Sequence, residues 1–262
     1  MHCSRAAQRA QALPAKAAAN RNRTSTQTGG GMKIGIIGAG NIGRVLALRW
    51  VEHGHEVRIG NSRGPSTLAE IASETGATPA ELADVVRDAA VIVVTIPENK
   101  VPNLPAELFA GVPDTTVVID TGNYYPRERD GRIEEIEGGM MESAWVSEQI
   151  GRPVIKAFNN IYALHLRDLG KPQGTPGRIA LPLSGDSADA KAVVTQLINE
   201  MGFDAVDNGG IDDSWRQQPG TPAYTKDFDA QGLQVALSQA ERARKPQWSG
   251  TEKSPGTFDK PA

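Results

Sequence analysis

A glycine-rich turn near residue 40 is the segment of this chain best suited to bind a ligand. The apolar stretch 33–37 runs directly into a complete G-x-G-x-x-G, and a helical pattern follows it. The first glycine permits a tight turn, the second lets the backbone approach a pyrophosphate, and the third allows close helix–strand packing. Free N–H groups at the start of the helix attract the anion. The spacing predicts a dinucleotide site rather than a strand-to-helix turn without a ligand.

The end of the second predicted strand indicates which dinucleotide binds. Residues 55–60 form this strand, and Asn61, Ser62 and Arg63 follow it. An NAD-selective site usually has Asp or Glu at this place, where it bonds the ribose hydroxyls. Glu56 is acidic but lies at the start of the strand, too early to reach the ribose. Because a hydroxyl and a guanidinium bind a 2′-phosphate well, we predict NADP(H), with a solvated Arg63 as the alternative.

Strands alternate with helices over much of the chain, which predicts an α/β fold. The expected architecture is a doubly wound, mostly parallel sheet of the Rossmann NAD(P)-binding type with a short C-terminal helical appendage. The apolar run 91–96 is typical of a buried parallel strand. Further strands are predicted at 116–120, 153–158, 179–184 and 203–206. Helices are predicted at 41–54, 65–76, 78–86, 104–109, 143–150 and 186–201.

Two prolines and the chain ends add detail to this layout. Pro79 is predicted as the first residue of a helix capped by Thr78, and Pro182 predicts an edge strand. We expect residues 1–31 to be a disordered leader or a start assigned too early, with 32–210 as the NADP-binding domain. Residues 211–262 would hold a loop, one helix and a disordered tail. That helix carries an apolar face for a homodimer, made of Leu233, Ala236, Leu237 and Ala240.

Ligands of a doubly wound sheet lie over the carboxyl ends of its strands. Ile96 and Pro97 would wall the nicotinamide and ribose, and Lys100 would meet a phosphate or carboxylate. Ala157 would let a carboxamide approach the backbone, and Asn159 would orient it. The predicted cofactor-binding residues are Gly38, Ala39, Gly40, Asn41, Ile42, Gly43, Asn61, Ser62, Arg63, Thr95, Ile96, Pro97, Lys100, Ala157 and Asn159.

Composition excludes several classes of partner. Residues 1–31 hold five basic residues and no acid, so the rest of a chain of net charge −3 carries −8. An acidic body argues against nucleic acid, and no apolar run approaches the length that spans a membrane. Cys3 is the sole cysteine, and no nucleophile–base pair or metal-ligand spacing stands out, so no catalytic or metal residue is predicted. We expect a cytoplasmic protein with a small-molecule or cofactor substrate.

Four strings within residues 32–210, GIIGAGNIG, NSR, TIP and VIKAFNN, resemble the NADPH-dependent coenzyme F420 reductases, also named NADP oxidoreductase, coenzyme F420-dependent. The resemblance implies hydride transfer between NADPH and a second substrate, with the deazaflavin F420 as candidate. It also implies a pyrophosphate site at residues 39–42, a 2′-phosphate site at Ser62 and Arg63, and further NADP contacts from Ile96, Lys100 and Ala157.

Three other functions stay open at this point. One is a reductase like the pyrroline-5-carboxylate reductases, although their large helical C-terminal domain has no counterpart here. Another is an NADPH oxidoreductase like the ferric reductases, whose cytosolic domain has the same module. The third is a non-catalytic NADP sensor, which would bind NADPH and reduce no acceptor.

The leader's composition predicts that it contributes nothing to the core. A chain that starts at Met32 should therefore fold and bind NADPH like the full chain. Thermal melting and NADPH titration of both chains test this expectation. A large drop in melting temperature on truncation would show that residues 1–31 are structural.

Overall fold

The computed structural model describes residues 30–243 and Trp248. The predicted leader and the predicted tail beyond residue 243 lie outside the described residues, except for Gly30, Gly31 and Trp248. The strands are β1 Lys33–Ile37, β2 Glu56–Gly60, β3 Thr78–Pro79, β4 Val91–Val94, β5 Val117–Asp120, β6 Ile155–Ala157, β7 Ala180–Ser184 and β8 Asp204–Asp207. The α-helices are α1 Asn41–Glu52, α2 Ala69–Thr75, α3 Leu82–Val86, α4 Glu134–Glu137, α5 Glu142–Ile150, α6 Ala163–Asp168, α7 Ala188–Glu200 and α8 Ala230–Ser238.

These strands form one sheet in the order β3-β2-β1-β4-β5-β6-β7-β8. Strands β1 to β6 run parallel, β7 is antiparallel to β6, and β8 is parallel to β7. The predicted doubly wound, mostly parallel α/β fold is thus confirmed. The chain order reverses between β1 and β4, and this switch point opens a crevice at the carboxyl ends of those strands.

Both faces of the sheet are covered by apolar side chains, as a parallel sheet requires. Within β4, Val91 and Val93 belong to a first core on one face of the sheet, while Ile92 and Val94 belong to a second core on the opposite face. The first core also contains Trp50 of α1, whose ring meets that of Phe158 edge-on at 5.8 Å. This packing fixes α1, and hence the glycine turn before it, against the sheet.

Three predicted elements are wrong, each because of a proline. Thr78 and Pro79 form edge strand β3, where a missing N–H is tolerated, and the helix begins only at Leu82. Residues 104–109 form turns instead of a helix, because Pro102 and Pro105 remove donors that a helix needs. Strand β7 is an interior strand and not the edge strand that Pro182 predicted. The proline is tolerated because it lies one position beyond the Ala157–Leu183 pair, where β6 has already ended.

The predicted dimer face of α8 is also wrong as a free surface. Leu233, Ala236 and Leu237 are buried in a third core with Ala180 of β7 and Val206 of β8. The helix therefore covers the last two strands, and Ala240 lies beyond its end. Over residues 30–243, none of the helices is both long and apolar enough to cross a bilayer.

Candidate functional site

Two cavities of about 480 Å³ each open at the carboxyl edge of the sheet. They share Gly40, Thr95, Ile96 and Pro97 as a common wall. We call them the glycine-turn cavity and the tyrosine cavity. The first is lined by Ile37, Gly38, Ala39, Gly40, Asn61, Ser62, Arg63, Leu82, Thr95, Ile96, Pro97, Lys100, Asn103 and Leu104. The second is lined by Gly40, Asn41, Ile42, Thr95, Ile96, Pro97, Thr121, Gly122, Asn123, Tyr125, Arg129, Asn159, Ile161, Tyr162, Ala163, Tyr224 and Thr225.

Two glycines of the turn are required for steric reasons, and the third leaves space for a ligand. Gly38 has φ of 117°, and a Cβ there would lie 2.2 Å from the Thr95 carbonyl oxygen. A Cβ on Gly43 would lie 2.3 Å from the Gly38 oxygen, so this glycine serves helix–strand packing. A Cβ on Gly40 would meet nothing within 4 Å, and no side chain caps α1 there. The turn thus leaves open the place where a pyrophosphate would sit against the helix N-terminus.

The glycine-turn cavity carries positive charge without a compensating acid. Arg63 and Lys100 are exposed at its edge, and neither side chain forms a hydrogen bond or ion pair with any residue of the described part. Asn61 Oδ1 accepts from the Arg63 backbone N–H at 2.8 Å, which shapes the loop. Glu56 is paired with Arg58 at the other end of β2, 3.1 Å away. A phosphate ester fits this loop, while an acid for ribose hydroxyls is absent from the lining.

Most of the predicted cofactor residues converge on these two cavities. Residues 38–42, 61–63, 95–97, Lys100 and Asn159 all contribute to a wall. Gly43 and Ala157 contribute to neither wall. Gly43 is buried beneath the turn, and the Ala157 side chain belongs to the first core. A cofactor contact through the backbone of Ala157 stays a prediction.

A network of buried amides forms one side of the tyrosine cavity. Asn159 Nδ2 donates to Asn123 Oδ1 at 3.0 Å and to the Gln217 backbone oxygen at 2.8 Å. Gln217 Nε2 donates back to Asn159 Oδ1 at 2.9 Å, and its own Oε1 accepts from Ser184 at 2.8 Å. Because both N–H groups of Asn159 are already used, this side chain positions the loop rather than donating to a ligand.

Sequence reasoning missed Tyr125, which faces Tyr224 across the tyrosine cavity with their hydroxyls in hydrogen-bond contact. Its position just after β5, at the carboxyl edge, was the available signal. Tyr224 comes from the C-terminal part of the chain, where Trp215 and Gly220 line a separate cavity. Trp248 packs on both tyrosine rings, with centroids 5.9 Å from Tyr125 and 6.0 Å from Tyr224.

A buried charged group lies directly beneath the cavity floor. Lys156 Nζ is 3.3 Å from Glu142 Oε2 and 3.6 Å from Asp120 Oδ2, and it donates to the Gly122 carbonyl oxygen at 2.8 Å. Burial alone would lower the pKa of Lys156, but these two carboxylates hold it above the usual value. Lys156 therefore stays charged, and it ties β6 to the loop after β5.

Glu98 completes this group in a different state. Its side chain is fully buried, and neither carboxyl oxygen has a hydrogen-bond partner among the described residues. Burial, followed by the charge of Asp120, raises the pKa of Glu98 well above the usual glutamate value. The burial of Glu98 therefore favours its protonated, uncharged form.

The histidines among residues 30–243 lie outside both cavities. His165 Nδ1 lies 2.7 Å from Asp227 Oδ2. His55 is buried, accepts from the Met32 N–H and contacts Glu200 at 2.9 Å. Both pairs join segments distant in sequence, which the sequence pattern does not reveal.

Glu98→Gln should raise stability increasingly as pH rises. Because the pKa of Glu98 is raised in the folded state, its contribution to the free energy of unfolding is fully present below the unfolded-state pKa of about 4.3. That contribution is lost as the pH increases through the folded-state pKa. The neutral amide avoids that loss, and each kcal/mol gained shifts the melting temperature by about 2–4 °C. Melting curves at several pH values test this, with exposed Glu107→Gln as control. A difference from wild type that does not change with pH would contradict a neutral Glu98.

Comparison with known proteins agrees with this geometry. The profile of the family described as NADP oxidoreductase coenzyme F420-dependent matches residues 33–124. The protein YjhV of Escherichia coli K12 is 43% identical over 91 residues, which are 35% of this chain and 59% of YjhV. This chain thus spans about three fifths of that relative's length.

Two solved structures extend the similarity further along the chain. A hypothetical protein from Sinorhizobium meliloti is 31% identical, with a TM-score of 0.63, covering 76% of this chain and 95% of that one. A proposed F420-dependent NADP reductase from Arthrobacter sp. FB24 is 27% identical, with a TM-score of 0.56, covering 69% of this chain and 86% of its own. Over residues 33–124 the chain is therefore similar to the family of coenzyme F420-dependent NADP oxidoreductases.

Proposed function

We propose that the protein is an NADP(H)-dependent oxidoreductase that transfers a hydride between NADPH and a second small molecule or cofactor. The observation that carries the proposal is the open glycine turn beside Arg63 and Lys100, two cations whose side chains have no partner among residues 30–243. Both lie in one cavity whose lining contains no acid. This combination suits a dinucleotide with an additional phosphate. The match of residues 33–124 to a family of NADP oxidoreductases supports the same function.

Each part of the cavities has a role in this proposal. The backbone N–H groups at the start of α1 bind the pyrophosphate, and Ser62 and Arg63 bind the 2′-phosphate. Ile96 and Pro97 line both cavities, so a dinucleotide that passes them reaches the tyrosine cavity with its nicotinamide end. When bound, the cofactor supplies or accepts a hydride, and the protein supplies position and electrostatics.

Coenzyme F420 is the second substrate that we propose. Three tyrosines line the second cavity, and two of them, Tyr125 and Tyr224, are partly buried there. Flat rings of this kind stack on an extended aromatic system such as a deazaflavin. The family description and the name of the Arthrobacter protein support this choice. A homodimer and a cytoplasmic location stay predictions.

Arg63→Ala should weaken NADPH binding by about tenfold or more and leave NADH binding nearly unchanged. The reason is the loss of a charge-assisted contact to phosphate, worth about 1.5–3 kcal/mol. Fluorescence titration of both cofactors measures the effect. Arg87→Ala is a matched control, since Arg87 is exposed, paired with Asp84 and absent from either cavity wall.

Equal losses for both cofactors in Arg63→Ala would contradict the assignment of the 2′-phosphate site. Turnover tests the other half of the proposal. A protein that binds NADPH but reduces neither a deazaflavin nor a cyclic imine would be a sensor instead of an enzyme.

A further inference from the structure

The hydroxyls of Tyr125 and Tyr224 meet in the tyrosine cavity, although the two residues are 99 positions apart in the sequence. Tyr125 is held by Asp130, whose Oδ2 accepts its backbone N–H at 2.8 Å, and by the Arg129 guanidinium, 5.1 Å from its ring centroid. Tyr224 is held by the next residue, because Thr225 N–H donates to the Asn160 oxygen at 2.8 Å. Their convergence is therefore fixed by backbone contacts on both sides.

Two hydroxyls carry two O–H donors, but only one of them is needed for the hydrogen bond between them. One hydroxyl donates to the other, and the accepting hydroxyl keeps its own O–H for a third group. Both residues line the cavity that also contains Ile96, Pro97 and Asn159. The free O–H is therefore available to a molecule bound beside the nicotinamide end of a dinucleotide.

The surroundings keep this proton in place until it is needed. Burial raises the pKa of both tyrosines. Glu142 of α5 adds to that rise, while Arg129 acts against it at Tyr125 and Lys156 acts against it at Tyr224. Tyr162, on the segment before α6, faces Tyr224 and raises its pKa slightly further. The pair is thus a neutral acid throughout the physiological pH range.

We infer that the Tyr125–Tyr224 pair is the proton donor for an acceptor that gains a hydride and a proton together, such as the ring of a deazaflavin. The inference rests on the proposed function. As the acceptor carbon gains a hydride, its conjugated ring nitrogen gains the tyrosine proton. The O–H bond breaks, an N–H bond forms, and the electron pair stays on the tyrosine oxygen. The second hydroxyl donates to that oxygen until solvent restores the proton.

The test uses the full chain, NADPH and 8-hydroxy-5-deazaflavin, with 1-pyrroline as a second acceptor that also takes a proton. Tyr125→Phe/Tyr224→Phe keeps both rings and removes both hydroxyls. We expect turnover to fall by about 10²–10⁴-fold at about pH 8, while NADPH affinity stays within about twofold. Each single variant should lose less, because the remaining hydroxyl still donates. Tyr124→Phe is the control, since that buried hydroxyl accepts from the Ile133 N–H away from the cavity.

The pH profile separates proton donation from a structural role. Wild-type turnover should be nearly independent of pH from about 6 to about 9, whereas the double variant should slow about tenfold per pH unit, since its proton comes from solvent. Ultraviolet titration of the protein without substrate gives a second readout, because the tyrosinates of Tyr125 and Tyr224 should form at higher pH than that of a free tyrosine.

Two results would overturn the inference. They are turnover of the double variant within about threefold of wild type and a pH profile unchanged by the substitutions. If the double variant does not fold, the single variants are judged by the same pH profile. Failure of the wild type to bind NADPH, or to reduce either acceptor, would instead defeat the proposed function.

Discussion

The buried charge of Lys156 is the constraint on which the rest of the site depends. A lysine with no exposure must be compensated, and here the compensation comes from Asp120 of β5 and Glu142 of α5. The same ammonium donates to the Gly122 oxygen, so one charge joins β6, β5, α5 and the cavity floor. Burial and the charge of Asp120 raise the pKa of Glu98, which disfavours a third negative charge in this group.

The floor held by Lys156 continues into the amide network, which attaches the C-terminal segment to the sheet. Asn123 follows directly after Gly122 and bonds Asn159, and Asn159 bonds Gln217. Gln217 is fully buried and also contacts Ser184 of β7. Residues 211–238 therefore cover β7 and β8 and place Tyr224 at the cavity.

The sequence predicted those parts of the site that depend on neighbours in the chain. The glycine turn, Asn61 to Arg63 and the strand ends could be located because their geometry is local and the topology brings the carboxyl ends together. The tyrosine pair, the partners of Lys156 and the His165–Asp227 contact join segments far apart, so no local spacing encodes them. The prediction of an edge strand from Pro182 was wrong for a related reason. An interior strand tolerates a proline where its neighbour has already ended, and the sequence does not show where β6 ends relative to β7.

Two non-glycine residues in the left-handed region show how the tyrosine cavity is held open. Phe158 has φ of 61° and Thr225 has φ of 55°, and such conformations cost of order 1–3 kcal/mol each. The edge-on contact of Phe158 with Trp50 in the first core holds the former in place. The Asn160–Thr225 hydrogen bond links the two strained segments. Strain at Phe158 turns the chain out of β6, so that Asn159 and Asn160 face the C-terminal segment. The packing of Phe158 against Trp50 of α1 therefore offsets the backbone strain that accompanies the placement of Tyr224 in the cavity. The N-terminus of the same helix faces the proposed dinucleotide site.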